Sequence, residues 1–301
     1  MMTREELTRE AFEHGFDRIC FVKPEKTEGA LEELVSNPFA VMPNAATVIL
    51  LIRKCTLPAS GAAREAVISS YYPVSNEAYR QAKLLAGEIS RSGEAAIANV
   101  QIPIKQYLLK NRIGVQGRNS LVYIAGLGSA FHVQTILTEA RYEPDNAPES
   151  VKSVCVDCDM CVRACPAGAI KHTGQVDRVR CIRSVCESIP IPPSAKGLMK
   201  NHLLGCDICQ MVCPMNSGVT RSAPLEVEVR KLLRGELEPL KQIIGVNYAR
   251  KQKMVIKGCA ICENMNRTDL TDELVALANG DNPAVAEAAQ CALEKLKATD
   301  A

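Results

Sequence analysis

The sequence predicts three parts in series: an α/β domain over residues 1–145, a small cysteine-rich domain over 146–224 and an all-helical tail over 225–301. Three observations carry that division. Helix-spaced and strand-like apolar patterns alternate through the first part, as in α/β domains. Nine of the 14 cysteines then fall between Cys155 and Cys213. From Leu225 onward apolar residues recur at helical spacing, broken by the turn Gly280-Asp281-Asn282-Pro283.

The cysteine spacing names the chemistry of the middle part. Cys155, Cys158, Cys161 and Cys165, followed by Pro166, spell C-x2-C-x2-C-x3-C-P. This is the bacterial run for a [4Fe–4S] cluster, and in two-cluster proteins its fourth cysteine serves the other cluster. A second set follows in Cys181, Cys206, Cys209 and Cys213, with Pro214. The crossed scheme assigns Cys155, Cys158, Cys161 and Cys213 to one cluster, and Cys165, Cys181, Cys206 and Cys209 to the other. A regular second motif would place a cysteine where Leu203 stands. Cys181 is the nearest candidate upstream, and Cys186 is the alternative. The segment is thus expected to be a bacterial two-[4Fe–4S] ferredoxin-like domain that moves electrons singly. Zinc binds C-x2-C pairs but rarely a run of this spacing ending in proline. Disulfides suit secreted chains.

Composition narrows the rest. Tryptophan is absent and aromatics are 4% of the chain, so no base-stacking surface is evident. A net charge of +2 gives no strong pull toward nucleic acid. The charged, amphipathic start is unlike a signal peptide, and Thr47–Ile52 is too short to span a bilayer. A cytoplasmic location without membrane association is expected.

In order along the first part, residues 3–14 read as a helix ended by Gly15, and Asp17–Val22 as a strand. Leu31–Val35 reads as a short helical piece. The unbroken apolar run Thr47–Ile52 reads as a strand buried on both faces. Asn76–Arg91 is a helix, and Ala95–Ile102 and Leu121–Ala125 are strands. Arg141–Ser150 is a linker by its prolines and acids, and Ile189–Ser194 is too proline-rich for regular structure. The tail's two helical stretches, between Leu270 and Lys297, resemble a HEAT-like hairpin that needs neighbours to bury its face.

Other candidates are weaker. The α/β part has no Walker loop and no G-x-G-x-x-G after a strand. Its glycine-containing turn offers Gly114, Gly117, Arg118 and Asn119. The last two suit an amide or phosphate, or else form a surface turn. His132 and His202 read as packing or capping residues. Cys20, Cys55 and Cys291 behave as small hydrophobes, and Cys259 and Cys262 read as helix-core packing.

Nearly the whole chain resembles the epoxyqueuosine reductase family, of which reductive dehalogenases are more distant relatives. The resemblance rests on Ala11–Val22, Asn44–Leu51, Ser70–Tyr79, Arg112–Ser129 and Gly205–Asn216, together with the displaced Cys181. It implies a nitroreductase-like α/β domain that binds cobalamin without a histidine ligand. The turn from Gly114 to Asn119 would lie across that cofactor. Two [4Fe–4S] clusters would feed the corrinoid cobalt, supplied by a low-potential donor such as ferredoxin or flavodoxin. In the tRNA-modifying members an aspartate donates the proton. Residues 98–110 hold no acid here, which leaves Tyr107 or Lys105 as substitutes. The family's tryptophan and lysine are Val115 and Arg118. The expected function is a cobalamin-dependent reductase of a small molecule, a corrinoid or, less supported, a tRNA nucleoside. The alternative is a non-catalytic electron-transfer protein or reductive activator for a partner corrinoid protein.

Overall fold

The structure is a computed structural model that describes residues 2–27, 35–59, 63–145, 155 and 157–299. Most of the short helix expected at Leu31–Val35 and the latter half of the linker lie outside the described residues. The first elements are α1 (Arg4–Glu13), β1 (Arg18–Val22), α2 (Pro38–Val41), β2 (Thr47–Lys54), β3 (Leu57–Pro58), β4 (Ala66–Ile68) and α3 (Tyr71–Arg91). Next come β5 (Ala96–Ala98), α4 (Ile104–Lys110), β6 (Val115–Gln116), β7 (Val122–Tyr123) and β8 (Phe131–Thr138). The cysteine-rich segment holds α5 (Met160–Ala164), α6 (Ile182–Glu187), α7 (Pro193–Lys196), β9 (His202–Leu204) and α8 (Ile208–Met211). The remainder is β10 (Arg221–Ser222), β11 (Leu225–Val227), α9 (Val229–Arg234), α10 (Glu238–Ile244), α11 (Lys251–Asn264), α12 (Thr271–Ala278) and α13 (Pro283–Thr299).

The chain divides into two units. The first comprises Met1–Thr56, Val74–Cys158 and Pro214–Val219; the second comprises Leu57–Pro73, Asp159–Cys213 and Thr220–Ala301. The cluster segment beyond Cys158 and the helical tail therefore share a unit.

The first unit is built on a four-stranded sheet in the order β1-β2-β8-β5, antiparallel throughout. Its central strand explains the unbroken apolar run. Ile49 and Leu51 pack with α1 and α3, against Leu7, Ala11, Ala82, Leu85 and Ile89. Val48, Leu50 and Ile52 point the other way, against Tyr107, Leu108, Ile113 and Val122. A strand covered on both faces has no polar side, so alternation is lost. Helices and strands alternate as expected, but the strands run antiparallel. The sequence reading also missed β8, the longest partner of β2, and began α3 at Asn76. Pro73 falls in that helix's first turn, where a missing N–H costs nothing.

In the second unit α11 is the hub. Residues Met254 to Cys262 are buried without interruption, packed with α9 and α13. Gly258 lets α9 approach: a Cβ there would meet Leu232 and Leu233 at 3.2 Å. Cys259 and Cys262 are both fully buried in this core. α12 and α13 flank the expected turn, whereas Leu225–Val227 is a strand, β11, in the sheet β11-β4-β9. Pro193–Lys196 forms a single helical turn where none was expected. Among the described residues no helix is long and apolar enough to cross a membrane.

Candidate iron–sulfur site

Two copies of one local structure present the cysteines. Cys158–Pro166 and Cys206–Pro214 both read Cys-Asp-x-Cys-x-x-x-Cys-Pro. Asp159 and Asp207 occupy the N-cap positions of α5 and α8. The Asp159 carbonyl accepts the N–H groups of Val162 and Arg163 at 2.9 and 3.0 Å. The Asp207 carbonyl accepts those of Gln210 and Met211 at 2.9 and 2.8 Å. Both helices stop within two residues of a Cys-Pro pair, because proline has no N–H to extend the ladder. α5 packs against α8.

Cys165 closes α5, and its chain then turns through Gly168 at φ +57. The Ala169 N–H comes back to donate to the Cys165 Sγ at 3.3 Å. Cys181 is the N-cap residue of α6, and its own N–H donates to the Asp177 carbonyl at 2.9 Å. Cys165, Cys181 and Cys206 border one small apolar core made by Ala167, Ala169, Ile182, Val185, Cys186, Ala195 and Met199. Burial pushes the Cys206 thiol up to about 12; the Ile208 N–H opposes this, while Asp207, Cys181 and Cys165 add to it. Three of the four cysteines assigned to the second cluster thus stand within electrostatic reach of one another. Cys209 lies on α8, half-buried.

Cys186 occupies a different position. It is fully buried inside the same core, and its S–H donates to the His202 carbonyl at 3.2 Å. Burial also raises this thiol to about 12. Cys181 is half-buried at the edge.

Cys155 and Cys158 belong to the first unit, and Cys161 and Cys213 to the second. The backbone around the first two is held by Arg118. Its guanidinium donates from Nη1 to the Cys158 carbonyl at 2.6 Å and from Nη2 to the Cys155 carbonyl at 2.8 Å. Two donors in a fixed fork suit two carbonyls in one loop. No local pattern signals this contact, which joins residues 37 and 40 positions apart.

The remaining candidates in the glycine turn are also committed to the fold. A Cβ on Gly114 would meet Val122 at 2.6 Å, and one on Gly117 would meet the Tyr123 ring at 2.5 Å. Both glycines are needed for the β6–β7 hairpin to close. Asn119 is buried, donates to the Tyr123 hydroxyl at 2.9 Å and accepts from the Leu121 N–H at 3.3 Å. The second glycine turn receives Asn216: its Oδ1 accepts the Ser129 N–H at 2.8 Å, and its Nδ2 donates to the Ser129 Oγ at 3.0 Å. Tyr107 is buried; its hydroxyl accepts the Glu25 N–H at 2.8 Å, and burial pushes the phenol up. Lys105 is exposed and donates to the Ser120 carbonyl and Oγ at 2.8 and 2.9 Å; desolvation holds its ammonium below the usual lysine value. His132 lies on β8 with Nε2 against Gln134, and burial lowers His202 on β9.

The thiols fit iron–sulfur clusters. Among the described residues no three His, Cys, Asp or Glu groups converge as on a single ion. Backbone N–H groups aimed at Cys165 and Cys206 are of the kind that tune cluster potentials.

Comparison with known proteins agrees. Residues 154–216 match the 4Fe-4S double cluster binding domain family. The epoxyqueuosine reductase of Listeria monocytogenes is 29% identical over 203 residues, which cover 63% of this chain and 53% of that protein. The Bacillus subtilis enzyme is 33% identical over 141 residues, 46% of this chain and 36% of that one. Over these stretches the chain is similar to epoxyqueuosine reductases. It spans about half or less of the curated relatives' length in these matches. The structure of epoxyqueuosine reductase from Streptococcus thermophilus superposes with a TM-score of 0.80 at 19% identity, covering 98% of this chain and 90% of that one. An epoxyqueuosine reductase bound to an epoxyqueuosine-modified tRNA-Tyr stem loop superposes at 0.77 and 20% identity, covering 97% and 90%. A catabolic reductive dehalogenase superposes at 0.50 and 18%, covering 84% of this chain and 37% of that one. At such identities the likeness is one of fold.

Proposed function

We propose that the chain is an iron–sulfur reductase whose residues hold two [4Fe–4S] clusters. When bound, these groups supply one-electron steps at potentials set by their surroundings. Cys155, Cys158, Cys161 and Cys213 hold the first, and Cys165, Cys181, Cys206 and Cys209 the second. The observation that carries the scheme is the placement of Cys165, Cys181 and Cys206 around one small core while Cys186 faces inward. The protein's own work is to fix the thiolates, through the two Asp-capped turns, the Gly168 turn and the Arg118 clamp, and to bury the second set against apolar side chains. The resemblance also supports a nitroreductase-like first unit and a HEAT-like α12–α13 pair.

The relatives' names point to an epoxide-bearing nucleoside as acceptor, and the resemblance implies a corrinoid on the way to it. The residues expected to hold that corrinoid do not fit the role. Gly114, Gly117 and Asn119 are spent on the hairpin, and Arg118 on cysteine carbonyls. Of the two proton-donor candidates, Lys105 keeps an exposed ammonium, whereas the Tyr107 hydroxyl is tied to Glu25. The test is to reduce the reconstituted chain with a low-potential donor and add an epoxyqueuosine-bearing stem loop. Reoxidation of the iron–sulfur absorbance with loss of the epoxide supports the proposal. A chain that no donor down to about −700 mV can reduce contradicts it.

A further inference from the structure

The surface beside Cys181 carries a feature that holding a cluster does not require. Between Met160 and Ser184 the chain has five cations, Arg163, Lys171, Arg178, Arg180 and Arg183, against one acid, Asp177. Arg163 pairs with Asp159 at 3.2 Å, and Arg183 lies over the Tyr71 ring at 4.7 Å and pairs with Glu187 at 3.9 Å. Lys171, Arg178 and Arg180 are exposed and have no ion-pair partner among the described residues. The single acid does not neutralise them. The Asp177 carboxylate accepts the N–H groups of Val179 and Arg180 at 3.0 and 3.4 Å. That turn projects Arg178, Val179 and Arg180 outward, and Val179 is 67% exposed. Arg180 reaches back over the turn after Cys165, its Nη2 lying 3.5 Å from where a Cβ on Gly168 would sit. Next to Val179 a depression of about 350 Å³ runs to Pro192. Its acid, Glu187, is already taken by the Tyr72 hydroxyl at 2.5 Å and by Arg183.

The geometry points to a docking surface, formed by Lys171, Arg178, Val179 and Arg180 over Cys165 and Cys181, for an acidic one-electron donor protein. The inference rests on the cluster scheme above. The donor gives up one electron, the iron–sulfur group bound by Cys165 and Cys181 gains it, and no bond forms or breaks. An exposed apolar side chain flanked by unpaired charge is what a transient protein partner recognises, and rim charges of this kind set the association rate. Nucleic acid is the other polyanion to weigh. Single-stranded contacts use aromatic platforms; none of these four residues is aromatic, and the Tyr71 ring nearby is already covered by Arg183.

The test uses reconstituted full-length chain and a plant-type ferredoxin as acidic donor, with reduced methyl viologen, a cation, as control. Oxidised ferredoxin is titrated calorimetrically, and cluster reduction is followed by stopped-flow absorbance. Arg178→Glu combined with Arg180→Glu should weaken ferredoxin binding and slow its electron delivery by about tenfold or more, with a flattened salt dependence. Viologen reduction and iron content should hold. Lys171→Glu combined with Arg178→Glu, which spares the side chain over Gly168, should act in the same direction. Unchanged ferredoxin affinity and rate in both variants, at normal iron content, would overturn the docking surface. So would loss of stem-loop RNA binding with ferredoxin rates intact. A wild-type chain that viologen fails to reduce would instead bring down the cluster scheme, and this surface with it.

Discussion

At the scale of single residues, the choice between Cys181 and Cys186 is a choice between an edge and an interior. Cys186 has given its S–H to the His202 carbonyl and touches no solvent. Cys181→Ala should therefore cost about four irons per chain, and Cys186→Ala almost none. The reverse pattern, by iron and sulfide analysis, would move the ligand to Cys186. Arg118 offers a second expectation. Hydrogen bonds to charged groups contribute about 1.5–3 kcal/mol each, so Arg118→Ala should loosen the loop that carries Cys155 and Cys158. Iron should leave the variant several-fold faster under a chelator, and Arg118→Lys should restore part of the loss. Equal iron-loss rates in all three proteins would show that the clamp is idle. The two cysteine runs were legible because spacing is local. The clamp was not, because it joins residues whose partners only the fold brings together.

At the scale of elements, legibility follows burial pattern. β2 could be read because a strand covered on both faces is an unbroken apolar run. β8, equally central, carries His132, Gln134, Thr135 and Thr138, which mask the same signal. α11 is buried on every side from Met254 to Cys262, so over that stretch it lacks the polar face that marks a surface helix. Lys257 sits in the middle of it, and burial lowers its ammonium to about 8. The folded value lies below the unfolded one, so between roughly pH 8 and 10 the unfolded chain binds more protons and stability rises with pH. Lys257→Met should stabilise the chain below that window by about 3 kcal/mol, and the gain should shrink as pH climbs through it. A gain independent of pH, in denaturant melts, would show that Lys257 is not buried as a cation. Gly128 tests the turn that receives Asn216. It sits at φ +65, and a Cβ there would strike the Asn216 side chain. Gly128→Ala should cost about 2 kcal/mol or more, read as a lower urea midpoint, and an unchanged midpoint would mean that the turn is open.

At the scale of the molecule, the sequence and the structure agree on what is shared and part company on what is particular. The Cys-Pro runs, the helical tail and the family likeness all follow from short-range spacing. The turn from Gly114 to Asn119 was legible as a glycine turn but its part in the β6–β7 hairpin was not, because a glycine in sequence does not say whether a ligand or a neighbouring strand fills the space beside it. The central claim is that one chain holds two [4Fe–4S] clusters. The most direct test is iron and acid-labile sulfide per chain after anaerobic reconstitution, read beside low-temperature EPR of the reduced protein. About eight irons and eight sulfides, with two interacting paramagnets, is the predicted result. About four of each, or bound zinc without sulfide, would contradict it.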